Sequence, residues 1–387
     1  MLTCHKCFTK FNLPDLLPSC GRPGCTVDPQ TQAELRARAG GVLADVQTQM
    51  KQVADEHGRL FWQCPQCGGT DQGVRRCRRC GDDIEPLAKD PVETFTIALT
   101  GARSAGKTVY MVALVETLDR FAKMHDGRLT EQGHTKTIYR DTYYKRVFAD
   151  GQVLDPTPPG RQQSLHYRLE GGPRPVDIII SDVGGETLQN TYEATPDLDY
   201  INNADLVICL FDPYKVETIR TALNGIVDMR QDVGHEADRI IDTLTDYLIH
   251  KDNYHTNFAL LFGKFDLVRH LHKAHNSVLP RLLANLGSSF FTDDTFTPGY
   301  RWSEEESRIH DEDVRSLFHL LTNGEALRAS EIAFENRPDQ LRTFAVSALG
   351  DAPGGNFLSR VGVTPFRCLD PVQWAYRRVY GRGLMED

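Results

Sequence analysis

Apolar and polar positions along the chain predict alternating strands and helices from residue 93 onward. ETFTIALT at 93–100 alternates between apolar and polar residues as a strand does, and the apolar run VYMVALVETL after Thr108 is typical of a buried helix. Three later apolar runs also have the composition of strands; they are VDIIISD, FALLFG and TFAVSAL. Strands and helices in this order predict an α/β domain whose sheet is mainly parallel and flanked by helices.

Two further regions carry the three- and four-residue spacing of amphipathic helices. Residues 31–57 have this pattern around a Gly-Gly pair; its apolar members are Leu35, Ala39, Val42, Val46, Met50 and Val53. This predicted helix would pack on the neighbouring cysteine-rich segments or dock a partner. Residues 267–340 contain the helical runs SVLPRLLANL and EDVRSLFHLLTNGEAL, which predict a helical insertion. His270, His272 and His275 are expected on a solvated helical face.

The composition is that of a globular protein, with 387 residues of which 40% are apolar and 25% charged. It excludes collagen, a long coiled coil and wholesale disorder. No apolar stretch reaches the roughly 18 residues that a membrane-spanning helix needs. The N-terminus, MLTCHKCFTK, lacks the apolar core of a secretory signal peptide, so we expect a cytoplasmic protein. The net charge of −9 argues against general coating of nucleic acid.

Eight of the ten cysteines lie in the first 80 residues as four closely spaced pairs, which are Cys4 and Cys7, Cys20 and Cys25, Cys64 and Cys67, and Cys77 and Cys80. In a reducing compartment such pairs are typical of metal ligands, and four thiolates form the tetrahedral shell of a structural Zn²⁺. We therefore predict a small zinc-ribbon module at 1–85, two zinc ribbons joined by the helical segment. The first two pairs could share one ion and the last two the other, whereas an interleaved arrangement would mix the two sets. Cys209 and Cys368 are expected in the core.

Four arginines, Arg75, Arg76, Arg78 and Arg79, surround Cys77. Such a cluster can bind phosphate backbones, but it can equally be solvated or contact a protein. Because the whole chain is acidic, we expect a protein partner for the ribbons and keep nucleic acid as the alternative.

The first predicted strand of the α/β domain leads directly into GARSAGKT, a GxxxxGK[ST] phosphate-binding loop, and then into the predicted helix. Lys107 is expected to reach the β- and γ-phosphates, and the Thr108 hydroxyl to bind Mg²⁺. Backbone N–H groups of the loop and the start of the helix would surround the phosphates. The expected nucleotide contacts here are Gly101, Ser104, Ala105, Gly106, Lys107 and Thr108.

A second strand end supplies a candidate magnesium ligand. Asp182 closes the apolar run VDIIISD and begins a DxxG sequence that ends at Gly185. The Asp182 carboxylate is expected to hold Mg²⁺, and the Gly185 amide to meet a γ-phosphate.

Two more strand ends predict recognition of a guanine base. GKFD at 263–266 resembles the NKxD motif that binds guanine, which implies that the Asp266 carboxylate accepts two hydrogen bonds from guanine, a pair of donors that adenine lacks, with Lys264 over the base. The SAL sequence resembles the SAK motif, which implies that the backbone of Ser347 and Ala348 meets the guanine O6.

In this order, the four segments resemble the Ras-like and translation-factor-like GTPases of the TRAFAC class, over about residues 93–380. With the cysteine pairs, the chain resembles a bacterial family of predicted zinc-ribbon GTPases associated with conflict or defence gene clusters. The segment CLDPVQWAYRR at 368–378 also resembles the C-terminal helix of that family. The resemblance implies a P-loop GTPase domain at 93–380 that binds GTP or GDP with Mg²⁺, and a protein partner at the ribbons or switch segments. It also allows a nucleotide-dependent dimer.

The resemblance further implies a magnesium-sensing threonine shortly before the strand hairpin at 165–182. Thr157 fits this position best, although it would equally suit a proline-rich turn; the alternatives are Thr135, Thr137 and Thr142.

Three residues depart from the patterns of that class. Glu186 stands where many of these enzymes have a water-orienting glutamine, which predicts slow intrinsic hydrolysis. Arg103 replaces a glycine of the small GTPases and is either a built-in arginine finger, worth about 10³–10⁵ in rate, or a solvated side chain. Gly263 replaces the asparagine of NKxD, which removes a contact to the base and a brace to the phosphate loop.

The predicted function is a Mg²⁺-dependent switch that binds and slowly hydrolyses GTP and docks a partner through its zinc ribbons. The expected catalytic residues are Lys107, Glu186, Arg103 and Thr157. Two alternatives remain: a non-hydrolysing nucleotide-binding scaffold, and a nucleic-acid-binding zinc-ribbon protein with an accessory NTPase.

Overall fold

The computed structural model describes the greater part of the chain. The described residues are 2–11, 17–20, 22, 24–38, 48–70, 75–77, 79–80, 83–84, 92–102, 104–152, 154, 164–182, 199–226, 237–250, 253, 255–273, 289–322, 324–350 and 363–386. They form two compact units: one comprises Met1–Thr94 with Glu193–Asn203, and the other Phe95–Tyr192 with Ala204–Asp387.

Strands and helices follow each other along the chain in the order that an α/β protein requires. The strands are β1 (Leu2–Thr3), β2 (Lys10–Phe11), β3 (Leu17–Pro18), β4 (Lys51–Ala54), β5 (Leu60–Gln63), β6 (Arg75–Arg76), β7 (Asp83–Ile84), β8 (Glu93–Gly101), β9 (Arg128–Glu131), β10 (Leu165–Glu170), β11 (Val176–Asp182), β12 (Leu206–Phe211), β13 (Asn257–Phe262) and β14 (Leu341–Ala345). The α-helices are α1 (Pro29–Arg38), α2 (Lys107–Met124), α3 (Thr135–Thr137), α4 (Asp199–Asn203), α5 (Glu217–Leu223), α6 (Ala237–His250), α7 (Phe265–Arg269), α8 (Glu304–Thr322), α9 (Glu325–Ala333) and α10 (Asp370–Tyr380). A π-helix at Ile138–Ala149 continues α3.

The first unit consists of short antiparallel ribbons. β1 pairs with β2, β4 with β5, and β6 with both β3 and β7. The helix expected over 31–57, which Gly40-Gly41 could interrupt, is wrong in its second half, because Val53 lies in β4 opposite Phe61. At 51–54 the backbone forms its hydrogen bonds with β5 rather than within a helix.

The short helix α4 belongs to this first unit although it is distant from it in sequence. The ring of Tyr200 meets the ring of Phe8 edge to face, with centroids 5.8 Å apart. Asn203 donates a hydrogen bond from Nδ2 to the carbonyl oxygen of Cys7, at 2.8 Å. These contacts attach α4 to the loop that carries the first cysteine pair.

The second unit is built on a seven-stranded sheet with the order β14-β13-β12-β8-β11-β10-β9. The pairs β14–β13, β13–β12 and β12–β8 are parallel, whereas β10 is antiparallel to both β11 and β9. Strands β12 and β13 are buried along their whole length, as expected of strands covered on both faces. The fold is therefore the mainly parallel α/β sheet that the sequence predicts.

The C-terminal helix α10 completes the core of this unit. Trp374 and Tyr376 are fully buried, and their rings pack on Phe344 of β14 and Phe95 of β8 at centroid distances of 5.8 and 5.5 Å. Helices α8 and α9 lie within the predicted insertion at 267–340, while the run SVLPRLLANL and His275 lie outside the described residues. Among the described helices, none is long and apolar enough to cross a membrane.

Helix α8 covers the edge of the sheet at β14. The backbone N–H groups of Thr343 and Ala345 donate to Asp311 Oδ1 at 2.7 Å and to His310 Nε2 at 3.0 Å. His310 Nδ1 lies 2.8 Å from Ser289 Oγ. Because Nε2 accepts, the ring must be neutral with its proton on Nδ1. These side chains supply the partners that an edge strand would otherwise seek in another chain.

The neutral state of His310 leads to a testable pH dependence of stability. Burial and the nearby Arg367 charge hold the pKa of His310 well below its usual range. The unfolded histidine takes up a proton below about pH 6.5, so the contribution of His310 is complete above that pH and is lost as the pH falls. We expect His310→Gln to reduce the loss of unfolding free energy between pH 7 and 5 by about 1–2 kcal/mol, measured by urea unfolding.

The pH dependence of stability is compared between variants because buried carboxyls change it in the direction opposite to His310. Burial raises the pKa of Asp266 and of Asp370 to about 6, so these groups favour the folded state as the pH falls below that value. His319→Gln, an exposed histidine on the same helix, serves as the control and should leave the pH profile unchanged. Equal profiles for His310→Gln and the parent chain would contradict the prediction.

Candidate functional site

The described part of the loop between β8 and α2, which the sequence predicts to bind phosphate, lies close to β12. Gly101 has φ +138°, and a Cβ atom there would lie 2.5 Å from the carbonyl oxygen of Leu210, so only glycine lets the loop pass β12 so closely. Lys107 is buried and donates from Nζ to the carbonyl oxygens of Gly101 at 2.9 Å and Ala102 at 2.8 Å. Burial lowers the pKa of Lys107, partly offset by the negative charge of Asp182.

Two oxygen ligands meet beside this loop. Thr108 Oγ1 donates a hydrogen bond to Asp182 Oδ2 at 2.8 Å, and both side chains are buried. A hydroxyl and a carboxylate side by side at the start of a helix suit Mg²⁺, which prefers oxygen ligands. The structure thus brings together the two residues that the sequence assigns to the ion.

The ends of β13 and β14 bring the predicted base-binding residues together. Ser347 Oγ donates to Asp266 Oδ1 at 2.5 Å and accepts from the backbone N–H of Gly350 at 2.8 Å. Burial raises the pKa of Asp266 to about 6, with the hydrogen bond from Ser347 acting against the rise. At neutral pH the carboxyl is therefore mostly ionised and can accept further hydrogen bonds. Ala348 follows Ser347 in the same turn.

Lys264 connects this region to the phosphate loop. Its backbone lies in the left-handed region at φ +51°, and its Nζ donates to the carbonyl oxygen of Ser104 at 3.1 Å. The same Nζ lies 2.7 Å from Asp212 Oδ2, a carboxylate that directly follows β12. The described residues at or just after the ends of β8, β11, β12, β13 and β14 thus lie at the same end of a run of neighbouring strands, where α/β proteins bind their ligands.

Comparison with known proteins shows the family to which the chain belongs. The family model described as Double-GTPase 2 matches residues 96–309, more than half of the chain. The chain belongs to the Double-GTPase 2 family. It is 30% identical over 287 residues to SaeC of Mycolicibacterium smegmatis (strain ATCC 700084 / mc(2)155), a proposed ESX-1 scaffolding and assembly protein. That match covers 72% of this chain and 73% of the relative.

Solved structures of GTPase-like domains are also similar. The Saccharomyces cerevisiae Ski7 GTPase-like domain bound to GDP and inorganic phosphate is 11% identical, with a TM-score of 0.28. The same domain bound to GTP gives 11% identity and a TM-score of 0.29. Both comparisons cover 66% of this chain, and they span 43% of the length of the Ski7 chain.

The eight N-terminal cysteines of this Double-GTPase 2 chain form two separate clusters, one of Cys4, Cys7, Cys77 and Cys80 and the other of Cys20, Cys25, Cys64 and Cys67. The arrangement is therefore the interleaved alternative, in which the first pair joins the fourth and the second joins the third. In the antiparallel pair of β3 and β6, Leu17 lies opposite Arg76, so the chain continues from β6 to Cys77 in the direction away from Cys20.

The sulfur geometry fits zinc in both clusters. Cys4 and Cys80, and Cys7 and Cys77, have sulfur atoms 3.6 Å apart, and the corresponding distances in the second cluster are 3.5 Å. Four sulfurs at a Zn–S distance of about 2.3 Å would stand about 3.8 Å from one another. An all-cysteine shell leaves no open position, so a zinc ion held by either cluster would be structural. Cys209 and Cys368 are buried in the core, as the sequence predicts.

Four of the predicted site residues lie outside the described residues; they are Arg103, Thr157, Gly185 and Glu186. Of the alternative threonines, Thr135 accepts a hydrogen bond from the backbone N–H of His166 at 2.7 Å, while Thr137 and Thr142 are exposed on α3 and the π-helix.

Sequence reasoning missed Asp212, whose carboxylate contacts Lys264, and did not single out Tyr143, which experiences the charge of Asp182. Asp212 closes the apolar run LVICLF much as Asp182 closes VDIIISD, and this parallel was the available signal. Tyr143 lies on the π-helix, and its pKa is raised by burial and by the negative charge of Asp182. Its position carried no sequence signal, because a π-helix shifts which residues share a face.

Proposed function

We propose that this chain is a Mg²⁺-dependent molecular switch that binds GTP and hydrolyses it slowly. The observation that carries the proposal is the linked set Asp266, Ser347 and Lys264, with the Lys264 ammonium 3.1 Å from the Ser104 carbonyl oxygen of the phosphate loop. The Asp266 carboxylate, which suits guanine, and the loop that suits phosphate are thus separated by one side chain, that of Lys264. Membership of the Double-GTPase 2 family supports the same conclusion.

The roles follow from charge and position. Lys107 would exchange its two carbonyl partners for phosphate oxygens, since a buried ammonium gains more from an anion than from neutral dipoles. Thr108 and Asp182 would hold Mg²⁺, which neutralises charge that develops on the transferred phosphoryl group. Glu186 and Arg103 would act on the attacking water and on that charge, and Thr157 would sense the γ-phosphate.

The zinc ribbons would dock a protein partner in the cytoplasm. The supporting observation is the relative of 30% identity, which is named as a scaffolding and assembly protein. The same observation favours a second candidate function, a nucleotide-binding scaffold without turnover. Glu186 agrees with that candidate, because a carboxylate beside the phosphates adds negative charge and cannot donate a hydrogen bond as glutamine does.

Base selectivity tests the proposed function. We expect the zinc-loaded protein with Mg²⁺ to bind GTP and GDP at least tenfold more tightly than ATP and ADP, measured by calorimetry. Asp266→Ala should remove most of this preference, because it leaves the two guanine donors without an acceptor. Asp339→Ala, an exposed aspartate that precedes β14, is the matched control and should retain it. Equal affinity for adenine and guanine nucleotides in the parent chain would contradict the guanine assignment.

Turnover separates the switch from the scaffold. Phosphate release is measured for the parent chain and for Glu186→Gln under saturating GTP. A slow rate above background that rises with glutamine supports the switch. Rates at the buffer background for both proteins, with GTP binding intact, support the scaffold.

A further inference from the structure

Gly263 occupies the position at which the NKxD asparagine would connect the guanine-binding loop to the phosphate loop. Gly263 donates its backbone N–H to the carbonyl oxygen of Phe211 at 3.0 Å, and a Cβ atom on Gly263 would lie 3.1 Å from the same oxygen. An asparagine there would have to push the end of β12 back by a few tenths of an ångström. The brace between base loop and phosphate loop must therefore come from another side chain.

Asp212 occupies the place from which such a brace can act. It follows Phe211 directly, and only 2% of its surface is exposed. Its Oδ1 accepts the backbone N–H of Tyr214 at 3.0 Å, at the start of the 3-10 turn Pro213–Lys215, which fixes the carboxylate. Its Oδ2 lies 2.7 Å from Lys264 Nζ. Both carboxylate oxygens are thus engaged.

Lys264 has an unfavourable backbone conformation, in the left-handed region at φ +51°. A non-glycine residue there persists only where its surroundings enforce it, and the contact with Asp212 is part of those surroundings. Lys264 Nζ also donates to Ser104, and it lies 5.3 Å from the centroid of the Tyr214 ring. The Lys264 side chain remains 29% exposed, so its stem can lie over a base while its end is anchored.

We infer that Asp212 is a positioning residue of the nucleotide site. It holds the Lys264 ammonium and, through it, fixes the loops after β8, β12 and β13 at the separation that a guanine nucleotide needs. Asp212 thereby takes the bracing role of the NKxD asparagine, whose position Gly263 occupies. The inference rests on the proposed function, because the ligand it serves is a guanine nucleotide.

The chain offers a closely matched control on the same strand. Asp205 precedes β12 as Asp212 follows it, is also buried, and accepts hydrogen bonds from Thr96 at 2.8 and 2.9 Å. It lies at the opposite end of the strand from the nucleotide loops. Loss of either carboxylate should lower stability, but only Asp212 should alter binding.

The test is a double-variant cycle on GDP affinity, measured by calorimetry with Mg²⁺ for the full zinc-loaded chain. Asp212→Ala and Lys264→Ala should each weaken GDP binding about 10- to 100-fold, as truncation of a buried charge pair does. The double variant should bind no more weakly than Lys264→Ala alone, because Asp212 acts through Lys264. Asp212→Asn keeps the shape of the side chain but only one acceptor oxygen and no charge, so it should fall between, while Asp205→Asn should stay within about twofold of the parent chain.

The outcomes separate this inference from the function on which it rests. If the parent chain binds GDP selectively and both Asp212 variants bind it equally well, Asp212 positions nothing and the inference falls alone. Additive losses in the double variant would likewise show that Asp212 acts independently of Lys264. If the parent chain binds neither GTP nor GDP, the proposed function fails and the inference fails with it. Should Asp212→Ala not fold, the near-isosteric Asp212→Asn decides the matter.

Discussion

Replacement of Lys107 by alanine is expected to weaken GTP and GDP binding at least a hundredfold. Lys107 is the buried cation of the phosphate loop, and its Nζ lies within 2.9 Å of two carbonyl oxygens of that loop. Alanine would leave both carbonyls facing the phosphates with no positive charge between them. Charge-assisted contacts to phosphate are among the strongest hydrogen bonds in proteins, so the loss should exceed that of any single base contact. Calorimetry with GDP and Mg²⁺ measures it.

Lys123→Ala provides the control for this loss. Lys123 lies in the last turn of the same helix α2, is largely exposed and pairs with Asp119. Its removal should leave GDP affinity unchanged and stability nearly so, because exposed ion pairs contribute little. A Lys107→Ala protein that remains folded by circular dichroism and binds GDP like the parent chain would show that the loop does not hold phosphates.

Removal of zinc is expected to unfold the ribbons of the first unit. Their strands are two to four residues long, and the buried residues around them are largely the cysteines themselves. So small a core cannot support a fold alone, and structural zinc supplies roughly 10–16 kcal/mol of apparent binding energy in comparable domains. Chelation should therefore abolish the protection of 48–70 against hydrogen exchange, while the sheet of the second unit stays protected.

The pairing of the cysteines sharpens this expectation. Because Cys7 and Cys77 share one cluster, the double variant Cys7→Ser/Cys77→Ser should still bind one zinc per chain, measured by metal analysis after dialysis. The variant Cys7→Ser/Cys25→Ser should bind none, since it damages both clusters. Zinc contents in the reverse order would contradict the interleaved arrangement, and Cys209→Ala should bind two.

Much of the candidate site could be predicted because its residues end a strand or follow one within a few residues. The order of apolar runs placed Lys107, Asp182 and Asp266 at or shortly after strand ends, and parallel strands bring such ends together. Contacts between segments that are distant in the sequence could not be predicted. No local pattern shows that Cys7 shares a cluster with Cys77, or that Asp212 contacts Lys264 across 52 residues of sequence.

The helix pattern at 31–57 failed for a related reason. Spacing of apolar residues reports which face would be buried if a helix formed, but it does not report competing partners. At Val53 the partner is β5, whose backbone completes a ladder. The edge of the sheet at β14 shows the same principle, since His310 and Asp311 satisfy its N–H groups from a helix that the sequence could place only as part of an insertion.

The position of α4 determines how this protein can be dissected. The chain leaves the second unit before α4, contributes Tyr200 and Asn203 to the first, and re-enters the second at Ala204. The first unit is thus discontinuous, and no single cut yields both units intact. A shortened chain that begins at residue 93 would present the Tyr200 ring to water without Phe8 and would leave Asn203 without the Cys7 carbonyl. Measurements on such a fragment would describe a protein with a newly exposed aromatic surface rather than a nucleotide-binding domain in its native state.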